Sequence, residues 1–304
     1  MSVPAGKRVN MKICLIEPIG ISPVEFKNSF PGHEVLEIDS RGWPDDKLLA
    51  AVRDADILAL TNRPLNATVI GNMPNLKLIA VAFTGVDHVD ARAASSGNVT
   101  VMNAVGYART AVAELVFGLM ISLARRIPEN NQAIREGAKT NTGIELGGKT
   151  LGIIGYGAIG REVDRLAAAF KMNTLIFSRR GDKSLSEVFS ASDFVTIHVP
   201  LTSETRGMIS LKLLESMKTT SYLVNCARGP IVNTGDLVEV LKKGKIAGAA
   251  LDVFDVEPPL PSDYSLLSAP NVIATPHIGF NTKEALAAKG RITLGNIHKW
   301  LSER

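Results

Sequence analysis

The chain has only two cysteines in 304 residues, Cys14 and Cys226, and few aromatics, 5% in all. Two thiols far apart exclude a disulfide framework and give none of the paired spacings that structural zinc requires. A reducing, cytoplasmic setting is the expectation that follows. A large charge of one sign is also missing, since 34 basic and 30 acidic residues leave +4. So small a surplus argues against nucleic acid as the main partner and suits a small anionic ligand better. Nor is there a long hydrophobic run. The longest, Leu115–Ala124, is interrupted by Gly118 and Ser122, and crossing a bilayer takes about 20 apolar residues. The first ten residues, with Pro4, Gly6, Lys7 and Arg8, contain no apolar stretch of signal-peptide length. They read as a loose leader, and the chain as soluble, with no membrane partner.

What remains is ordinary globular composition: 45% hydrophobic and 21% charged residues, with 26 Gly and 15 Pro. Disorder, collagen-like structure and coiled coil are excluded on those proportions. At about 150 residues per domain, the length predicts two domains. Short β-branched runs alternate with longer helical patterns, as parallel βαβ units require. Strands are predicted near Lys12–Ile16, Val35–Ile38, Asp56–Leu60, Leu76–Phe83 and Val99–Met102. A second series follows at Leu151–Ile154, Thr174–Phe177, Phe194–Val199, Tyr222–Asn225, Ala247–Leu251 and Val272–Ala274. Both series are nearly continuous in apolar residues, the mark of sheets covered on both faces. Helices are predicted over Asp45–Val52, Ala67–Gly71, Gly160–Phe170, Ser210–Ser216 and Asp236–Lys243. A long helix over Thr110–Arg126 is closed by Pro128, and Lys283–Glu303 sets Leu286, Leu294, Ile297 and Leu301 on one face. Nothing between residues 100 and 150 reads as a flexible linker, so the two domains are predicted to be joined by packed helices.

Residues 155–160, Gly-Tyr-Gly-Ala-Ile-Gly, form a G-x-G-x-x-G between a predicted strand and a predicted helix. Gly155 permits the tight turn, Gly157 lets the backbone approach a pyrophosphate, and Gly160 lets helix and strand pack closely. The helix N-terminus adds amides and positive potential. Together with the strand at Thr174–Phe177, this spacing predicts a bound dinucleotide rather than a purely structural turn. NAD-binding versions usually end that second strand on an acid that holds the ribose 2′-hydroxyl. Here the position is Ser178, followed by Arg179 and Arg180. A hydroxyl and two guanidiniums suit a 2′-phosphate through charge-assisted bonds, so NADP(H) is the expected cofactor, with NAD(H) as the second choice. A solvated basic loop is the alternative reading of the same three residues.

Three later segments each end an apolar run on a polar residue, where open α/β sheets bind ligands. They supply Arg228, Glu257 and His277. Singly, each has a plain alternative: a surface cation, an element end, a structural histidine. Their joint occurrence after a dinucleotide turn favours chemistry. A guanidinium forks two parallel hydrogen bonds to a carboxylate and stays charged. Imidazoles titrate near 6.5 as a class, and a neighbouring carboxylate favours the protonated form. Arg228 therefore suits carboxylate anchorage and carbonyl polarisation, His277 proton transfer, and Glu257 orientation of the imidazole.

Taken together, the motifs resemble those of the D-isomer-specific 2-hydroxyacid dehydrogenase family, over essentially residues 11–304. They are Gly-Tyr-Gly-Ala-Ile-Gly (155–160), Ser-Asp-Phe-Val-Thr-Ile-His-Val-Pro-Leu-Thr (192–202) and Asn-Cys-Ala-Arg-Gly-Pro-Ile-Val-Asn (225–233). Leu-Asp-Val-Phe-Asp-Val-Glu-Pro (251–258) and Thr-Pro-His-Ile-Gly (275–279) complete the set, in order. Phe-Thr-Gly-Val-Asp-His-Val-Asp (83–90) is similar to the family's substrate loop. The resemblance implies an α/β fold of two doubly wound parallel-sheet domains, a Rossmann cofactor domain and a flavodoxin-like substrate domain, with the active site in the cleft between them. The cofactor domain would span 105–280, and the substrate domain would combine 1–104 with 281–304. It implies that amides of Thr84 and Gly85 hold the substrate carboxylate beside Arg228 and His277. It also implies that Ala158 and Ile159 contact the pyrophosphate, that Val199, Pro200 and Thr205 line the adenosine side, that Cys226, Ala227 and Asp252 border the nicotinamide, and that Gly279 is a further cofactor contact. Cys226 is read there as a packing neighbour, and His198 as structural. A homodimer is implied as well.

Two departures stand out: Val105 where many relatives have proline, and Arg135–Lys139 without the tryptophan that often follows. The Ser178-Arg179-Arg180 cluster resembles that of NADP-using glyoxylate/hydroxypyruvate reductases, so a small 2-keto or 2-hydroxy acid is the expected substrate. A short phosphoglycerate dehydrogenase is the alternative enzyme, for which Arg63 or Arg109 is the candidate phosphate cation; each also reads as a surface cation. From another class, a cofactor-sensing corepressor would keep the same three residues without turnover. No metal site is expected.

Overall fold

A computed structural model describes residues 10–256 and 259–304. All eleven expected strands form. Five make one sheet: β1 (Lys12–Leu15), β2 (Glu34–Glu37), β3 (Ile57–Leu60), β4 (Leu78–Val81) and β5 (Thr100–Asn103), in the order β2-β1-β3-β4-β5. Six make the other: β6 (Thr150–Ile154), β7 (Asn173–Phe177), β8 (Phe194–Ile197), β9 (Tyr222–Asn225), β10 (Gly248–Leu251) and β11 (Val272–Ala274), in the order β11-β10-β9-β8-β6-β7. Every ladder in both sheets is parallel. Every residue of β3, β4, β8 and β10 is buried, which explains why these strands read as unbroken apolar runs with no period of two.

The chain divides into two compact units, one running up to Ala108 and taking in Lys283–Arg304, the other Arg109–Thr282. In the first unit the Lys283–Ser302 helix packs on the five-stranded sheet. Its buried stripe is Ala285, Lys289, Gly290, Thr293, Ile297 and Trp300, a rise of three or four residues at each turn. Ile297 and Trp300 close a core with Ile13, Leu15, Phe26, Ile57 and Leu78. The leucines of the expected face flank this stripe; Leu294 and Leu301 pack on the core from its margin.

In the second unit the long helix ends earlier than expected, at Ala124. Arg126 takes a left-handed conformation (φ 51°), and a further helix runs over Ile127–Glu136 with Pro128 in its first turn. Pro128 thus opens a helix instead of closing one, because its fixed φ and missing amide cost nothing at a helix start. The helix at Ala158–Ala169 follows β6, and Leu185–Ala191 begins on a capping box of Ser184 and Glu187. The core of this unit gathers Ile154, Phe189, Val195, Ile197, Leu223, Leu251 and Phe254.

Candidate active site

One row of paired residues crosses the whole six-stranded sheet: Ala274 beside Leu251, then Asn225, Ile197, Ile154 and Phe177. The motifs at 155–160, 225–233, 251–258 and 275–279 start at or just past this row, and the 192–202 motif runs through it. Gly155 follows Ile154, Ser178 follows Phe177, His198 follows Ile197, and Cys226, Asp252 and Thr275 follow the other three. Neighbouring strands lie about 4.8 Å apart, so the register alone gathers these loops along one edge of the sheet. Strand order reverses between β6 and β8, which is where open α/β sheets hold ligands.

The glycine turn sits at that reversal. Gly155 has φ 102°, and a Cβ there would lie 2.7 Å from the His198 carbonyl and 2.9 Å from the Val199 side chain. Only glycine satisfies both constraints. A Cβ on Gly160 would collide with the Gly155 carbonyl oxygen, so the helix is held tightly under the turn. Gly157 is different. Nothing lies within 4 Å of its would-be Cβ, and it caps the Ala158–Ala169 helix without a side-chain hydrogen bond. The first turn, with Ala158 and Ile159 half-buried, thus begins on an exposed glycine and holds no acidic residue. This is the cradle that the pyrophosphate of a dinucleotide fits, and no described His, Cys, Asp or Glu cluster suits a metal.

Beside it, Ser178 closes a turn by accepting from the Gly181 amide at 3.0 Å. Arg179 and Arg180 are exposed. Arg179 Nη2 lies 3.0 Å from Glu204 Oε2. Val199 is half-buried and Pro200 exposed. The Thr205 hydroxyl donates to the Pro200 carbonyl at 2.6 Å and accepts from the Thr202 amide at 2.8 Å, so Thr205 locks the 200–205 loop from within. His198 Nε2 meets the Thr196 hydroxyl at 3.0 Å, while its Nδ1 is buried without a hydrogen-bond partner among the described residues. Burial pushes this imidazole down to about 3, so it stays neutral near pH 7.

Two buried polar side chains shape the reactive end. Asn225 is 1% exposed; its carbonyl oxygen accepts from the Ala227 amide and its nitrogen donates to the Arg228 carbonyl, both at 3.0 Å. That clamp fixes the Cys226–Arg228 loop. Gly229 is obligatory next to it, since a Cβ would strike the Phe254 carbonyl. Arg228 is half-buried, and its Nη1 donates to the Ala227 carbonyl at 2.8 Å. The Cys226 thiol is pushed well up by burial, with the Asp252 charge adding to it, which disfavours the thiolate.

Asp252, also 1% exposed, holds the histidine loop. Oδ1 accepts from the Thr275 hydroxyl at 2.6 Å and from the Ile278 amide at 2.8 Å; Oδ2 accepts from the Gly279 amide at 2.8 Å. These bonds bracket His277, whose φ of 55° is a conformation that non-glycine residues adopt at a cost. Its ring stands edge-on to Phe280, 5.5 Å between centroids. Asp252 and Gly279, both read from the sequence as cofactor contacts, thus bond to each other and position His277. Asn225 and Thr275 were not singled out in the sequence; a polar residue ending a buried strand was the available signal. Glu257 lies outside the described residues.

In the first unit, Thr84 and Gly85 follow β4 on a loop whose Thr84 carbonyl accepts from Asn103 Nδ2 at 2.6 Å. Thr84 is exposed, and neither residue's amide donates to another described residue. Arg63 is neither a surface cation nor available to a phosphate. It is 8% exposed, with Nη1 on the Ser40 and Trp43 carbonyls at 2.7 and 2.8 Å and Nη2 on Asp45 at 3.0 Å. Arg109 remains a mostly exposed side chain 3.9 Å from Glu162.

Parallel strands, a glycine cradle at the strand reversal, and clamped arginine and histidine loops on the same edge define a dinucleotide-binding α/β protein. A family model described as the NAD-binding domain of D-isomer-specific 2-hydroxyacid dehydrogenases matches residues 117–279, and the chain belongs to that family. It is 40% identical over 285 residues to D-3-phosphoglycerate dehydrogenase of Methanocaldococcus jannaschii, covering 88% of this chain and about half, 54%, of that protein's length. It is 38% identical over 286 residues to glyoxylate reductase of Thermofilum pendens, covering 87% of this chain and 84% of that one. Among solved structures, an acyclic imino acid reductase in complex with NADPH and D-Arg superimposes with a TM-score of 0.87 at 27% identity, over 96% of this chain and 98% of the other. No helix among the described residues is long and apolar enough to cross a membrane.

Proposed function

We propose that this chain reduces a small 2-keto acid, of the glyoxylate or hydroxypyruvate kind, to the D-2-hydroxy acid with NADP(H), NAD(H) serving less well. The observation that carries this reading is the single register row, which delivers the Arg228 and His277 loops to the edge that holds the glycine cradle. Gly155, Gly157, Ala158, Ile159 and Gly160 would hold the pyrophosphate, with Ser178, Arg179 and Arg180 at the ribose. The bound nicotinamide supplies the hydride that reaches the carbonyl carbon.

The chain's own groups supply the rest. Arg228 anchors the carboxylate and draws charge toward the carbonyl oxygen. His277 gives a proton to that oxygen in reduction and takes it back in oxidation. Glu257 holds the imidazole in the tautomer and charge state this needs. Asp252 keeps the His277 loop in its left-handed turn. The reading also implies a cytoplasmic location and a homodimer; sedimentation of the purified chain measures the second.

A panel of 2-keto acids assayed with NADPH and NADH is the direct test. Glyoxylate and hydroxypyruvate should give the highest kcat/KM with NADPH, and a consistent NADH preference would reject the cofactor choice. Arg228→Ala should lower kcat/KM for the keto acid by about a hundredfold or more while cofactor affinity stays within twofold. The burial of Arg63 takes one cation away from the phosphoglycerate alternative, leaving Arg109 for it. Cofactor binding with no turnover on any keto acid would favour the corepressor-like role.

A further inference from the structure

We infer that Glu204 is a specificity-determining residue that opposes the 2′-phosphate of a bound dinucleotide by pairing with Arg179. The inference rests on the dinucleotide reading above. The residue after the second strand of this sheet is Ser178, a hydroxyl where a carboxylate ordinarily holds the ribose 2′-oxygen. The carboxylate missing from that strand end is supplied by another loop. Glu204 Oε2 sits 3.0 Å from Arg179 Nη2.

The geometry that presents Glu204 is built in. Thr205 and Thr202 cross-bond the loop after β8, through the Thr205 hydroxyl to the Pro200 carbonyl and the Thr202 amide, and through the Thr205 amide to the Thr202 hydroxyl at 3.3 Å. Glu204 sits inside the loop tied in this way, between Thr202 and Thr205. β8 lies beside β6, and β6 beside β7, so the loop reaches across two strand spacings to meet the turn at 178–181. Arg179 is thereby neutralised, whereas Arg180 has no ion pair among the described residues. Asp182 and Lys183 follow on the same turn, both exposed.

The pair is weak by construction. Its side chains are 81% and 75% exposed, and such a bridge biases its equilibrium by about fivefold at most. A 2′-phosphate therefore displaces Glu204 from Arg179 readily, but binds with a carboxylate still nearby. A 2′-hydroxyl carries no charge and meets no such opposition. Two arginines alone would commit the site to the phosphorylated cofactor; Glu204 moderates that commitment and keeps the unphosphorylated one in use.

Titration calorimetry with 2′-phospho-ADP-ribose and ADP-ribose, ligands that undergo no turnover, tests this directly. Glu204→Gln should tighten 2′-phospho-ADP-ribose about threefold to fivefold at low salt while ADP-ribose stays within twofold. The gain should shrink at high salt. In an Arg179→Gln background the same substitution should change the ratio of the two affinities by less than twofold. An unchanged ratio in Glu204→Gln, equal tightening of both ligands, or an undiminished effect without Arg179 would each overturn the assignment. A wild-type protein that favours ADP-ribose would reject the NADP(H) preference and leave the Glu204 inference standing on its shift. If neither ligand binds, both fail.

Discussion

Each of the two parallel sheets has a point where strand order reverses, and the chain treats the two points differently. In the first unit, between β1 and β3, the amides of Thr61, Asn62 and Arg63 all donate to Glu17 Oε2, at 2.8, 2.8 and 2.9 Å. Glu17 is 6% exposed, and Arg63 next to it is taken up by backbone carbonyls and Asp45. In the second unit, between β6 and β8, Gly157 has open space where its side chain would be, and the helix behind it has no side-chain cap. A run of backbone amides at a strand reversal attracts an anion in either case. The first unit has its own carboxylate in that place, so its amides are satisfied by the fold. The second leaves the amides to a ligand. Topology offers both positions; one side chain decides which of them is available.

The comparison can be broken most severely at Gly157. Its φ of −79° and ψ of −158° suit any residue, and a Cβ there touches nothing in the protein. Gly157→Val should therefore lower Tm only slightly, by the loss of a favoured N-cap residue, while weakening NADPH binding by about a hundredfold or more, close to 2.7 kcal/mol. Fluorescence titration measures the affinity, and an unaffected one would mean the cradle holds no cofactor. Glu17→Ala makes the opposite prediction. Three amides lose their acceptor at once, and stability should fall by about 2–3 kcal/mol in urea unfolding with NADPH affinity unchanged.

The smallest effect concerns pH. His198 is neutral in the folded protein, with its imidazole at about 3, while an unfolded histidine titrates near 6.5. Below pH 6.5 the unfolded chain binds a proton that the folded chain refuses, so stability falls as pH drops through the window from 6.5 to about 3. At pH 5 the loss from this residue should be about 2 kcal/mol. His198→Gln should flatten that part of the pH–stability curve, and an equally steep curve in the variant would place the acid sensitivity elsewhere.

Much of this was legible in the sequence. The eleven strands announce themselves because both faces of each sheet are covered, and the glycine turn because a strand and a helix flank it. Short helices were missed at Pro23–Asn28, Ala91–Ser96 and Leu185–Ala191, although Ser184 and Glu187 spell a readable start for the last. What stayed hidden were the roles of buried polar groups. Asp252 reaches residues 275–279 only because β10 and β11 pair in one particular register. Glu17 meets amides 44 to 46 positions away. Arg63 read as a surface or phosphate-binding cation because composition around it does not reveal that the Ser40 and Trp43 carbonyls converge on it.

The most direct test of the account compares His277→Gln with the wild-type protein in two assays: NADPH binding by fluorescence, and NADPH oxidation at 340 nm with glyoxylate or hydroxypyruvate. Binding should stay within twofold while kcat falls by about two to four orders of magnitude, the loss of a proton donor at an otherwise intact site. Turnover at the wild-type rate in the variant would contradict the account.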